Sequence, residues 1–407
     1  MPNINAPISI VDKPLAIFSA CCLAAVSAAV FLTLPMLVGA AIRSYQISED
    51  AAGVLVAWYF AGAVVANVSA VYWIRRVNWR NASFVGVGLV ALGLIVLPFY
   101  IRSYHGAISG LFLAGVGLGV LYGIAVSLLS DTSNKDRNYG FMLIAQQLLG
   151  GVLLLVFPQF IPSEASFTFV MTNLGFVLVF ISLMAFFMPR QGALVTAMTE
   201  VLTDNKSGNI TDNKAGNITK HSETNTTAMA LLGVFILVIY FVAQAGVWAF
   251  VERLADHRGI SNEDIGLALA ISMIGGLLGG FAVAWQADKF GIGKPIFIST
   301  LGFILVFFYY GSDFDLVGFT VASFIFYFFW NYILAYQMSA VANFDIKGNF
   351  SVLLPGAMAC GAMIGPWLAG IIMQAYSYDY VALIGSTILF VGLGMYGVLL
   401  RKNKTTP

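Results

Sequence analysis

Ala228 to Val251 read AMALLGVFILVIYFVAQAGVWAFV, a run with one amide, Gln244, and no charged side chain. As a helix it is long enough to cover a hydrocarbon core of about 30 Å, which takes roughly 20 apolar residues. The residues before it, 203–227, read TDNKSGNITDNKAGNITKHSETNTT. That stretch is too polar to enter lipid and too poor in apolar side chains to build a core. Outward from this junction, apolar runs of similar length recur near residues 15–42, 51–74, 81–101, 106–130, 139–160 and 166–188, and again near 265–287, 295–311, 316–341, 350–376 and 380–400. Twelve spans result, six on each side of the polar stretch, the ninth being the shortest.

Composition agrees with a chain whose solvent is lipid. Of 407 residues, 59% are hydrophobic and 10% charged, and the mean hydropathy is +0.88. The net charge of +1 excludes the basic footprint that a nucleic-acid partner requires. Cys21, Cys22 and Cys360 lie in apolar runs without CxxC spacing, so no disulfide framework or metal site is encoded. Continuous apolar runs without alternation exclude a membrane β-barrel and predict an all-α polytopic bundle. The first span is too long for the core of a cleaved secretory signal, and MPNINAPISIVDKP lacks a basic leader, so the span is expected to be retained.

Lys and Arg set orientation. With the N-terminus in the cytoplasm, only Arg43, Arg102, Arg253 and Arg258 of the 20 basic residues fall outside, the bias that bacterial and other plasma membranes impose. Both termini and the polar stretch are then cytoplasmic, in a plasma (inner) membrane. The expected organisation is a six-helix bundle over residues 1–188, a flexible linker over 189–227 and a second bundle over 228–407. The linker holds a tandem octapeptide, TDNKSGNI from Thr203 and TDNKAGNI from Thr211, read as a local duplication. The sequons at Asn209, Asn217 and Asn225 face the cytoplasm in this topology and are read as chance.

Fragments recur between the halves. Asn138-Tyr139 with Gly150 matches Asn349-Phe350 with Gly361, and Ile47-Ser48 matches Ile260-Ser261, where SNED also supplies a helix-capping box. After span 8 the chain reads AWQADKFGIGK from Ala284 to Lys294. Two six-helix halves, a polar central loop and this motif, with Asp288, Lys289, Gly291 and Lys294 in register with GxLaDRxGRK, resemble the major facilitator superfamily of secondary transporters. The equivalent first-half loop, AVYWIRRVNWR, keeps Arg75, Arg76 and Arg80 but has Ile74 and Val77 where the pattern places Asp and Gly. Span 11 carries GAMIGPWLAG (Gly361 to Gly370), similar to the glycine-proline pattern that the family's antiporters carry in span 5. Span 4 has Leu111 and Ala114 in place of the Arg and Gln of RxxQG. The resemblance implies two pseudo-symmetric bundles that work as a functional monomer, with gating residues in these loops.

It also implies a central cavity lined by spans 1, 4, 7 and 10. Span 7 offers Tyr240, Gln244, Trp248 and Glu252 at intervals of four, an aromatic and amide stripe ending in a carboxylate. The competing reading has Gln244 bonding a neighbouring helix and Trp248 at a lipid interface. Span 10 offers Tyr327, Trp330 and Asn331, with Asn331 the best candidate ligand. Gln146 and Gln147 of span 5 point about 100° apart, so one of them, taken as Gln146, is expected to face the cavity. Span 4 supplies Tyr122. Its Gly115, Gly119 and Gly123, like Gly275, Gly276, Gly279 and Gly280 of span 8, read as close helix contact. The hydroxyls of Ser19, Ser27 and Thr33 are expected to bond their own helix.

No charged residue falls near the middle of any span, where one would cost at least about 2.5 kcal/mol and mark function. The expected substrate is therefore a small neutral, aromatic or amphipathic solute, or a lipophilic cation held by ring faces. Arg43 and Glu252 are expected to pair at the outer ends of spans 1 and 7, an exposed pair worth about 0 to 1 kcal/mol. Glu252 is also the candidate for proton coupling. No GxxxxGK[ST] loop occurs, so ATP is not the energy source. The histidines, His105, His221 and His257, lie in loops, which argues against an intramembrane enzyme and a cofactor. A non-transporting sensor or assembly protein on the same scaffold is the alternative.

Overall fold

A computed structural model describes residues 10–133, 135–160, 166–191, 220–286, 290–342, 344 and 353–403. Most of the expected linker, Asp288, Lys289 and the Asn349-Phe350 pair lie outside the described residues. The described residues form helices and turns, with no strand among them, and twelve helical segments are long and apolar enough to cross a membrane. Span 1 comprises Pro14–Leu32 and Leu34–Tyr45. Spans 2 to 6 are Glu49–Trp73, Trp79–Ala91 continued to Tyr100, Tyr104–Ser130, Lys135–Phe160 and Phe167–Ser182 with a tighter turn to Phe187. Spans 7 to 12 are Lys220–His257, Asn262–Gln286, Gly293–Tyr310, Leu316–Ala342, Leu354–Ala375 and Tyr378–Asn403. An even number of crossings puts the start of span 1 and the end of span 12 at one end of the bundle, the terminus-side end. Span 7 is longer than its apolar run and begins at Lys220, inside the segment expected as linker.

Local chemistry starts the helices where the sequence changes character. Asn78, Ser103, Ser166 and Ser261 each accept a hydrogen bond from the backbone N–H three residues on, at the heads of spans 3, 4, 6 and 8, satisfying donors that an isolated helix leaves free. Ser261 donates in turn to Asp264 at 2.6 Å, the expected cap of span 8. Pro98 interrupts span 3, which widens into a π turn over Leu92–Val96.

The pseudo-symmetry is visible in which helices touch. Span 2 packs on span 4 where Gly62 meets Phe112, Gly115 meets Tyr59 and Gly119 meets Ala63 and Ala66. Span 8 packs on span 10 where Gly275 meets Phe324 and Gly279 meets Phe328. Equivalent pairs in the two halves thus use the same device, small residues that bring backbones together where lipid supplies no hydrophobic drive. The halves meet along spans 2 and 11 and along spans 5 and 8. In the first of these contacts a Cβ on Gly53 would lie 2.5 Å from the Pro366 carbonyl oxygen.

Candidate functional site

Spans 1, 2, 4, 5, 7, 10 and 11 surround a central cavity with about 960 Å³ of unfilled space, its open mouth included. Its lining falls late in span 2, at Asn67, and early in spans 5 and 11, at Leu143 and Pro355, so it extends from the bundle's middle toward the terminus-side end. Tyr122, Gln146, Tyr327, Trp330 and Asn331 all line it. Gln147 lines it as well: a concave wall spanning several helices accommodates two side chains 100° apart, so the expectation of a single glutamine was too narrow. Among the lining residues there is no Asp, Glu, Lys, Arg or His.

Ring faces from both halves form the wall. Trp330 packs against Phe31 of span 1 and Phe241 of span 7, both with centroids 5.5 Å apart, and stacks on Tyr327 at 6.1 Å. Phe31 in turn meets Phe60 edge-on at 5.7 Å. The polar groups on this wall keep spare capacity. Gln147 donates to the Asn331 amide oxygen at 3.4 Å, joining the two halves, and Asn331 donates to the Tyr327 carbonyl at 3.3 Å. Gln147 Oε1 and the Tyr327 hydroxyl are buried with no hydrogen-bond partner among the described residues. An unmatched buried polar atom costs about 1–3 kcal/mol, which a bound solute or water recovers. Gln146 reaches the Ala24 carbonyl only at 3.5 Å.

The stripe on span 7 does not line the cavity. Tyr240 bonds Thr300 of span 9 at 2.7 Å and packs edge-on against Tyr396 of span 12. Gln244 is buried with its amide nitrogen unpartnered among the described residues. Trp248 is buried rather than interfacial: its indole N–H donates to the Phe31 carbonyl at 3.0 Å, and its ring meets Tyr327 edge-on at 4.7 Å. Pro35 explains the acceptor. Without an N–H, proline leaves the carbonyl four residues earlier, that of Phe31, without its helical partner. Span 1 breaks at Thr33, whose hydroxyl bonds back to Ala29 at 2.8 Å, and an indole from the other half caps the freed group.

At the far end a charged pair joins the two halves. Arg43 and Glu252 pair at 2.8 Å, as expected, but the Glu252 side chain is 0% exposed against 33% for Arg43. The exposed-pair energetics therefore do not apply. Span 1 lies so close here that a Cβ on Gly39 would stand 2.5 Å from the Glu252 carboxyl carbon, so protein covers the carboxylate. Arg253, the next residue, pairs with Asp256 at 2.7 Å and reaches Glu49 of span 2 at 3.7 Å, adding a second link between halves.

The family model for the Major Facilitator Superfamily matches residues 233–407. The chain is 24% identical over 364 residues to the MFS-type transporter YcaD of Shigella flexneri, and equally to that of Escherichia coli, covering 87% of each chain. Its fold superposes on a bacterial homologue of the human lysosomal transporter Spinster, in an inward-facing and unoccupied conformation, with a TM-score of 0.68, 13% identity and 96% and 98% of the two chains covered. The nucleoside transporter NupG gives 0.66, with 11% identity over 96% and 99%. Residues 233–407 thus match the superfamily's model, and the chain is similar over most of its length to MFS-type transporters. Twelve apolar spans and MFS-type transporter relatives mark an integral membrane protein of the transporter class, which is not an enzyme class.

Of the loop residues, Gly291, Lys294, Arg75 and Arg76 are among the described residues. Gly291 adopts φ +62°, a left-handed conformation that favours glycine, and turns the chain into span 9. Lys294 is exposed beside it. In the first-half loop Arg75 pairs with Asp131 of the span 4 end at 2.6 Å and lies 5.8 Å over the Trp79 ring, while Arg76 is exposed. Sequence reasoning missed Phe31, Tyr59, Phe60, Asn67, Phe241 and Met358 in the lining. Spans 2 and 11 enter the wall because their glycines bring them against the central helices. The signal for Phe31 was Pro35, four residues on.

Proposed function

We propose that this facilitator moves a small neutral aromatic or amphipathic solute, or a lipophilic cation, across the plasma (inner) membrane by alternating access, with drug-like efflux as the direction. The observation that carries this reading is the cavity itself, ring-walled, crossed by unpaired amide and hydroxyl groups and free of ionisable acids and bases. Such a wall binds rings and cations through π faces and gives a phosphate or dicarboxylate no counter-charge. That NupG is a nucleoside transporter is consistent with a heteroaromatic solute in this scaffold. The bundles of residues 1–188 and 228–407 rock about the cavity, the linker of 189–227 and both termini are cytoplasmic, and one chain suffices. Tyr122, Gln146, Tyr327, Trp330 and Asn331 form the binding wall, with Tyr240, Gln244 and Trp248 supporting it from behind. Arg43 and Glu252 gate the outer end. Arg75, Arg76, Asp288, Lys289, Gly291 and Lys294 form the inner one. Glu252 is the group for proton coupling, since its Oε2 is buried and unpartnered among the described residues.

The test is flux in proteoliposomes across a panel of aromatic, amphipathic and cationic dyes, nucleosides and sugar phosphates, with and without a protonophore. Uptake of ring-bearing solutes that fails for Trp330→Ala supports the reading. Preferential flux of sugar phosphates, or no flux of any solute, refutes it.

A further inference from the structure

The amide bridge between Gln147 and Asn331 is also a partition. Behind it lies a second opening, with about 490 Å³ of unfilled space, between spans 5 and 8. It shares Leu143, Gln147 and Asn331 with the central cavity, so the two spaces meet at that bridge. The remaining walls include Gly140, Gly276, Gly280 and Phe281, and Phe281 is 65% exposed on the outer surface of the bundle. Gly276 makes room for the bridge, since a Cβ there would lie 2.7 Å from the Asn331 amide nitrogen.

The opening comes from a divergence of two helices. Toward the far end spans 5 and 8 are in contact, and a Cβ on Gly151 would meet Met273 at 3.6 Å. Toward the terminus-side end, a Cβ on Gly140 or Gly280 would meet nothing within 4 Å. The corresponding seam between spans 2 and 11 is shut at this level, with Val68 3.2 Å from the Cβ position of Gly356. The groove is thus one-sided, uncharged and within the apolar stretches of spans 5 and 8.

We propose that this groove is a lateral portal through which an amphipathic solute dissolved in the terminus-side leaflet passes into the cavity, with the Gln147–Asn331 bridge as its polar threshold. The proposal rests on the functional reading above and names the route. A solute that partitions into lipid reaches the mouth at Phe281 at far higher local concentration than in water. At the threshold, the unpartnered Gln147 Oε1 accepts a donor from the solute as the bridge opens, which offsets the loss of the amide pair.

The experiment follows access, not transport. Bimane is attached at Met358→Cys, a cavity position outside the groove, in protein whose Cys21, Cys22 and Cys360 are serine, reconstituted in phosphatidylcholine nanodiscs. A nitroxide-labelled fatty-acid methyl ester serves as the membrane-dissolved quencher and iodide as the aqueous one. The expected result is quenching by both, with Gly280→Trp reducing quenching by the ester at least fivefold and leaving iodide quenching unchanged. Gly140→Trp plugs the groove from the opposite helix and gives the same pattern, so misfolding of either variant leaves a test. Absence of ester quenching in the unplugged protein, or ester quenching that both plugs leave intact, overturns the portal. No transported solute enters this measurement, so its failure leaves the transport reading standing, and an empty flux screen leaves the portal standing.

Discussion

Removing the cation of the far-end pair should open that end, and the size of the effect follows from burial. Arg43→Gln leaves the Glu252 carboxylate, 0% exposed, without its 2.8 Å partner. Breaking a buried pair on one side costs about 3–5 kcal/mol, and an exposed pair is worth about 0–1 kcal/mol. With Arg43 a third exposed, the closed far end should lose about 2 kcal/mol, an increase of roughly thirtyfold in the open-to-closed ratio at 1.4 kcal/mol per tenfold. Glu252→Gln added to Arg43→Gln removes the orphaned charge and should restore the ratio to within about threefold, since two neutral groups leave no unpaired ion behind. A charge swap is a poorer rescue, because an arginine at position 252 has to fit against Gly39, where even a Cβ finds no room. Spin labels at Ser103→Cys and Glu263→Cys, at the starts of spans 4 and 8 in opposite halves, report the far-end separation by double electron–electron resonance in nanodiscs. Equal distance distributions in the native pair and Arg43→Gln, or additive effects of the two substitutions, would refute the claim that this pair holds the end shut.

Trp248→Phe keeps the ring but loses the 3.0 Å bond to the Phe31 carbonyl, worth about 0.5–1.5 kcal/mol, and should shift the same label distances about fivefold toward the open form; Pro35→Ala, which supplies a backbone N–H to that carbonyl, should shift them the same way. Asn331→Asp places a carboxylate in a cavity with no counter-cation, and flux assays should show cationic dyes favoured over neutral ones by at least tenfold relative to the parent. Gly53→Leu drives a side chain into the Pro366 carbonyl, and overpacking of this seam should cost about 1–3 kcal/mol, visible as a lower midpoint in thermal denaturation of the detergent-solubilised protein.

How far the sequence foretold these features depended on what each required. Twelve spans were legible because each is a local property, an apolar run between polar boundaries, and the caps at Ser261 and the turn at Gly291 were legible for the same reason. Span 10 was legible because Tyr327, Trp330 and Asn331 fall on one face of a single helix. Span 7 was not, and geometry says why. Residues four apart advance about 40° per step around a helix, so Tyr240 and Glu252 differ by about 120°. One stripe therefore serves different neighbours: Tyr240 meets spans 9 and 12, Trp248 meets span 1 beside the cavity, and Glu252 meets the end of span 1. Which neighbour stands where is a tertiary fact. So is the burial of Glu252, which depends on Gly39 from a span almost the whole first bundle away in sequence.

The asymmetry of the two ends then follows from the same residues. Far-end closure joins the halves through groups that only the two halves together provide: a buried carboxylate with its guanidinium, an indole on a proline-freed carbonyl, and Arg253 shared between Asp256 and Glu49. At the terminus-side end, Arg75 is engaged by Asp131 within its own half, and the loop has Ile74 and Val77 where the superfamily pattern provides an acid and a glycine. An arginine held at 2.6 Å by a carboxylate in its own bundle meets the other bundle as part of that pair. The first-half loop thus brings a stiffened corner to the proposed inner gate, and the form described above joins its halves at the Arg43 end and is hollow toward the termini. On the proposed reading, a solute that satisfies Gln147 Oε1 and the Tyr327 hydroxyl recovers about 1–3 kcal/mol at each, free energy on which the exchange of far-end contacts can draw.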